Sequence, residues 1–280
     1  MRTRDACNPT GAKLEDTTIV RVPFEAEYIT RPALLDSLDS SMHCDDETGR
    51  RFTIRAADTD GQRSSASILI NKMYATRGYR SSFLPAERTP ERITLVATDD
   101  DMTIGTLTIG FDSSNGLLAD QLFSEETDEL RDAGRSVCEF IKLAIDSSVR
   151  SRMVLASLFH VAFICAHRLR DTDNVVIEVN PRHVRYYERM LGFKVAGPQR
   201  LNPRVDAPAV LLDLDLGYGS SQIDRFGGRP EYALVERSLY PYFFSAHEQA
   251  GIVRRLQRKQ PARMSMARRH STPQAQYATA

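Results

Sequence analysis

The sequence predicts a mixed α/β domain with an α+β-type mixed sheet, and three stretches carry that expectation. Residues 136–193 read as strand, short loop, long helix, strand, helix. That order forces a right-handed crossover between two strands of one sheet. Residues 93–111 hold two apolar runs about the turn Asp99-Asp100-Asp101, the pattern of a hairpin. Residues 209–216, Ala-Val-Leu-Leu-Asp-Leu-Asp-Leu, are apolar enough for a well-covered strand that closes the sheet.

In chain order, residues 1–50 lack periodicity and are rich in Asp, Ser, Thr and Arg, so a mostly disordered extension is expected, with a short ordered piece near 19–28. Residues 52–57 read as a strand and 62–77 as a helix, with Ile68, Leu69, Lys72 and Met73 near helical spacing and Gly78 as its stop. A proline-containing loop over 83–92 leads to the hairpin, whose second strand carries Ile104, Leu107 and Ile109. Residues 117–132 are expected to be helical through Leu118, Leu122, Phe123 and Leu130, with Gly134 breaking the run before the central strand at 136–146. The apolar run 153–169 is a helix, and 174–179 a strand. Asn180-Pro181 opens the next helix, with asparagine as N-cap and proline at the first helical position. Gly217, Gly219, Ser220, Ser221, Gly227 and Gly228 mark the expected end of the core. Residues 231–256 look helical with a break at Pro241, and 260–280 form a tail. The expected organisation is therefore an extension over 1–50, one domain over 51–216, and a helical extension with a basic tail over 217–280.

A chain of 280 residues can bury one good core. Lys+Arg and Asp+Glu both number 37, so the overall charge does not suggest a nucleic-acid partner. Cys7, Cys44, Cys138 and Cys165 have neither zinc nor redox spacing, which argues for reduced thiols and a cytoplasmic setting. No apolar run approaches a membrane span, and the first residues lack the apolar centre of a signal peptide. No metal is expected: the ligand types in His43-Cys44-Asp45-Asp46 are adjacent, and His160 and His167 have no carboxylate at matching spacing. Gly-x-Ser-x-Gly and Walker motifs are absent.

Several side chains are candidates for chemistry. Arg150 and Arg152 flank the start of the long helix, where two guanidinium groups and free amides could hold a phosphate; an ordinary exposed loop is the plainer reading. Glu139 and Lys142 interrupt an apolar strand. Strict alternation puts them on opposite faces, whereas a bulge between them would turn both toward one cleft. A buried glutamate there could have a raised pKa and act as a general base; a structural ion pair is the alternative. His183, Tyr186 and Tyr187 open the helix after Asn180 and could be acid, base or substrate contacts, or could simply pack. Tyr232, Leu234, Val235, Leu239, Tyr240, Phe243 and Phe244 precede Arg254, Arg255, Arg258 and Lys259. The aromatic part is expected to pack on the core and the basic part to be solvated, a weak contact with an anionic membrane surface being the other reading.

The segment from Asn180 to Phe193, Asn-Pro-Arg-His-Val-Arg-Tyr-Tyr-Glu-Arg-Met-Leu-Gly-Phe, resembles the closing helix of GNAT-fold acyltransferases. Together with residues 138–146 and 207–212 it resembles the FeeM-type N-acyl amino acid synthases, relatives of the acyl-homoserine-lactone synthases. The resemblance spans roughly residues 51–216. It implies a GNAT-like core whose central strand is bulged and splays from its neighbour. It implies no permanently bound cofactor but an acyl-phosphopantetheine thioester as co-substrate, usually on acyl carrier protein as partner, with CoA the alternative carrier. The acceptor it implies is the amine of an amino acid and the product a long-chain N-acyl amino acid. The Glu-x-x-basic pattern of the related synthases falls on Glu139 and Lys142, and the acid tyrosine near Tyr187. The phosphate-binding turn falls on Arg150 and Arg152, with Met153, Val154 and Leu155 in place of its glycines. Leu143 and Ile145 are the expected strand contacts to the donor; Tyr79, His183 and Tyr186 are the expected acceptor contacts. A non-catalytic acyl-binding or scaffold protein, and a homoserine-lactone-type or CoA-dependent acyltransferase, are the competing functional readings.

Overall fold

The computed structural model describes residues 17–24, 50–80, 84, 89–149 and 151–259. Arg150, the acidic stretch 39–47 with His43 to Asp46, and the tail 260–280 lie outside the described residues. One sheet runs through the protein. Its strands are β1 (Thr18–Pro23), β2 (Arg51–Ala56), β3 (Arg92–Asp99), β4 (Met102–Phe111), β5 (Val137–Ile145), β6 (Asn174–Val179), β7 (Lys194–Val195), β8 (Arg200–Asn202) and β9 (Ala207–Asp215). Their order is β1-β2-β3-β4-β5-β6-β9-β7, with β8 also paired to β9. Every pairing is antiparallel except β5 with β6, the two strands joined by the crossover.

Helix α1 (Asp60–Ala75) starts on a capping box in which Thr59 and Gln62 satisfy each other's amides. It lies with α2 (Asp120–Asp132) on one face of the sheet, where Leu69, Ile70 and Met73 meet Ala144, and Phe123 meets Val137 and Val176. Helix α3 (Arg152–Phe163), continued by a π-turn at Ile164–Arg168, covers the other face. The first turn of the helix at Asn180 is 3-10 (Pro181–His183) and leads into α4 (Val184–Leu191). Gly192 ends α4 at φ 82°, a left-handed cap that a side chain would strain. Among the described residues no helix is long and apolar enough to cross a membrane.

The structure changes the sequence reading after β9. Gly217 to Ser221 do not end the core; they lie inside α5 (Leu216–Phe226), capped by the Asp215 carboxylate accepting from the Tyr218 amide at 2.8 Å. Leu216, Gly219, Ile223 and Phe226 form its buried stripe, a helical spacing that the glycines and serines between them obscure. Residues 231–256 are not one broken helix. They form 3-10 turns at Pro230–Leu234 and Tyr240–Tyr242, then α6 (Ala246–Lys259), which opens where Ser245 and Glu248 exchange hydrogen bonds. Leu239, Tyr240, Phe243, Phe244, Ile252 and Leu256 join the main core, while Tyr232, Leu234 and Val235 stay exposed.

This segment explains why α3 is apolar on every side. A helix hydrophobic all round must be covered all round. The sheet covers one side of α3 and residues 239–256 the other. His160, fully buried in α3, fastens the cover. Its Nδ1 accepts from the Phe244 amide at 2.8 Å, its Nε2 meets the Gln249 Oε1 at 2.8 Å, and its ring stacks on Phe243 and Phe244 at 4.8 and 5.1 Å.

Candidate active site

Strands β5 and β6 pair only over Val137↔Asn174, Cys138↔Val175 and Glu139↔Val176. Beyond that point they diverge. On its other side β5 pairs with β4, and the register slips: Thr108 faces Ile141 and Thr106 faces Ala144. Lys142 and Leu143 together therefore oppose Leu107, a β-bulge, and Lys142 takes a left-handed φ of 54°. A lysine in that region carries strain of about 1–3 kcal/mol. The bulge and the divergence open a cleft of about 780 Å³ between the strands.

The two sides of the cleft differ. Leu107, Phe140, Leu143, Ile145, Leu155, Phe159, Ile177 and Val179 supply an apolar wall next to α3. Tyr74, Arg77, Tyr79, Lys142, Glu178, His183, Tyr186, Tyr187, Asn202 and Arg204 supply the polar lining. Among the described residues Glu178 is the one acidic side chain on the wall, against the cations of Arg77, Lys142 and Arg204. Burial, with the charge of Arg92 added, lowers the Lys142 pKa to about 8. The Tyr187 ring sits among Phe159, Tyr186 and Phe193 at 6.4, 5.5 and 6.0 Å, and burial pushes its phenol well above the ordinary value. Burial and the neighbouring Arg182 and Arg77 lower the His183 pKa, and the His183 Nε2 accepts from the Arg182 Nε at 3.2 Å.

Glu139 sits elsewhere. It is 2% exposed and is not on the cleft wall. Its two oxygens accept the Leu118 and Ala119 amides, each at 3.0 Å. Those contacts hold the turn that leads into α2. Burial raises the Glu139 pKa, and the two amide hydrogen bonds oppose the rise. Its neighbour across the ladder is Gly110, where an added Cβ would lie 2.6 Å from the Glu139 Oε1. Gly110→Ala is therefore expected to push the carboxylate off its amides and cost about 1–3 kcal/mol of stability, read from denaturant unfolding. An unchanged midpoint would mean that this contact is slack.

The bulge thus brings Lys142 to the cleft without Glu139. Leu143, Ile145, Tyr79, His183, Tyr186 and Tyr187 all line the cleft. Arg152 does not line it; its exposed guanidinium lies 6.0 Å over the Tyr242 ring. Sequence reasoning missed Tyr74, Arg77, Glu178, Asn202 and Arg204. Glu178 had a signal equal to that of Glu139, since each is a lone acid in an apolar strand. Asn202, at the end of β8, and Arg204, in the β8–β9 connection, had none.

The family model for the N-acyl amino acid synthase FeeM matches residues 65–215, more than half of the chain. The chain belongs to this family. As a member of the synthase family it is an N-acyltransferase, and its fold is the GNAT acyltransferase fold. The solved structure of FeeM, an N-acyl amino acid synthase from uncultured soil microbes, superposes with a TM-score of 0.55 at 25% identity, over 61% of this chain and 93% of that one. An acyl-CoA N-acyltransferase from Pseudomonas aeruginosa matches at 17% identity and a TM-score of 0.42, over 58% of this chain and 97% of that one. The CoA-dependent acyl-homoserine lactone synthase BjaI matches at 12% identity and a TM-score of 0.41, over 58% and 78%. No curated protein matches the sequence.

Proposed function

We propose that the protein moves a long acyl chain from a phosphopantetheine thioester to the amine of an amino acid. The observation that carries this reading is the cleft between the splayed strands, apolar on one side and cationic with one carboxylate on the other. The extended pantetheine arm would lie along the β5 edge that β6 leaves unpaired, with Leu143 and Ile145 against it. The acyl chain would take the apolar wall, and an amino acid the polar one, with Tyr79, His183 and Tyr186 as contacts and Lys142 toward its carboxylate. The amine attacks the thioester carbon, the C–S bond breaks and the thiolate leaves with a proton. Tyr187, held as a neutral phenol, would relay that proton from the attacking nitrogen to sulfur. Glu139 would act as a positioning residue, holding the turn at Leu118 and Ala119 beside the acceptor.

We further propose acyl carrier protein as the donor. At the start of α3 the Ser151 hydroxyl already accepts from the Met153 amide at 3.2 Å, and the Val154 side chain fills the core where a phosphate turn would have glycine. This leaves little backbone to wrap the pyrophosphate of CoA. The test incubates the protein with hexadecanoyl-acyl carrier protein or hexadecanoyl-CoA and the twenty standard amino acids, and follows products by mass spectrometry. N-acyl amino acid formed faster from the carrier protein is the expected result. A preference for CoA would reassign the donor, and no N-acyl product from either would overturn the function.

A further inference from the structure

We propose that Glu178 is the carboxylate that binds the ammonium group of the acceptor and takes its proton before attack. This rests on the amine-acceptor reading above and names the group that would receive the ammonium.

Glu178 stands on β6 just past the last residue paired with β5, at the throat of the divergence, and its side chain is 9% exposed. It is built into place rather than left on a surface. The Arg204 guanidinium forms an ion pair with Oε1, and the Asn202 amide donates to Oε2 at 2.6 Å. Arg204 also donates to the Leu118 carbonyl at 3.1 Å and to the Gln121 Oε1 at 2.8 Å, so the same arginine ties Glu178 to the turn that Glu139 holds. A carboxylate has about four acceptor positions, and these two contacts leave room for more. An ammonium entering a cleft lined by Arg77, Lys142 and Arg204 would meet one acidic side chain among the described residues. Burial and the nearby Glu139 charge raise the Glu178 pKa while Arg204 and Asn202 lower it, which suits a group that must hold a proton briefly.

The step balances. The ammonium gives one proton to Glu178, leaving a neutral amine and a carboxylic acid. The amine nitrogen bonds to the thioester carbon and the C–S bond breaks. The second proton of that nitrogen passes to the departing sulfur, and Glu178 later returns its proton to water.

The experiment compares wild type with Glu178→Gln, using the hexadecanoyl thioester that turns over and the most active of the twenty amino acids. The expected result is a fall of about 10²-fold in acceptor kcat/KM, with donor KM within a factor of about three and the acid limb of the pH profile lost. The des-amino analogue of that amino acid should inhibit both proteins equally, because it lacks the ammonium. Wild-type activity with an unchanged acceptor kcat/KM and acid limb in the variant would overturn Glu178 and leave the function standing. Equal loss of binding for the amino acid and its des-amino analogue would also overturn it, showing only a structural ion pair. Wild type making no N-acyl product at all would overturn both readings. If Glu178→Gln fails to fold, Arg204→Met serves instead. Losing the guanidinium should move the acid limb to higher pH, and a stationary limb would overturn the proposal.

Discussion

Tyr187→Phe is expected to lower kcat by about 10²-fold while donor KM changes by less than a factor of about three. The phenyl ring keeps the contacts with Phe159, Tyr186 and Phe193, so the substitution removes one hydroxyl and little else. Because burial holds the phenol above its ordinary pKa, Tyr187 is a poor net acid toward a thiolate. It can still pass its proton to sulfur while receiving one from nitrogen, a relay that never leaves a phenolate. The variant should therefore fail at the breakdown of the tetrahedral adduct and not at binding. Single-turnover kinetics, with thermal unfolding as the control, would read the effect. A normal kcat in a normally folded variant would remove Tyr187 from the chemistry.

His160→Ala is expected to cost about 3–5 kcal/mol of stability. It empties a buried site, removes the stacking on Phe243 and Phe244, and strands the Phe244 amide. The cost should depend on pH. Burial lowers the His160 pKa from 6.5 to about 4, so the folded state holds the ring neutral while the unfolded chain protonates it. Between those values the unfolded state binds more protons, and acid erodes the contribution of His160. That contribution is complete above pH 6.5 and falls by roughly 3 kcal/mol by pH 4. The stability gap between wild type and His160→Ala should narrow by that amount over the same window. Urea unfolding of both proteins at pH 7 and pH 4 measures the gap; a constant gap would mean that His160 does not titrate as its surroundings dictate. Proteolysis should also cut the variant first within residues 239–256.

Local chemistry made much of the fold legible. The hairpin at 93–111 differs from expectation only in its turn, since Asp99 pairs with Met102 and leaves Asp100-Asp101 as the loop. Strand β6 occupies residues 174–179 as its β-branched run required, and the Asn180 cap, Pro181 and Gly192 bracket the helical segment between them. These signals act within a few residues, through caps, turn propensities and periodicity, and a single sequence displays them directly. The same holds for the stripe at 216, 219, 223 and 226, which was present but hidden by the punctuation of glycine and serine.

What the tertiary structure decided is which of two similar residues lines the cleft. Glu139 and Glu178 are each a lone acid in an apolar strand, and no local rule separates them. The separation comes from neighbours distant in sequence: Gly110 leaves space for the Glu139 carboxylate, the turn at Leu118 and Ala119 closes over it, and β6 leaves β5 just before Glu178. The bulge could be argued from the need to turn Glu139 and Lys142 toward one cleft, but its register is set by how β4 and β5 pair across α2 and the loops between them, and it brings only Lys142 there. His160 is likewise an unremarkable histidine in a helix until residues 239–256 fold back over it. Sequence alone determined the hairpin, the crossover unit at 136–193 and the family to which its closing motif points. Packing between distant segments determined which carboxylate faces the cleft, because burial and hydrogen-bond supply belong to the assembled structure and not to any one strand.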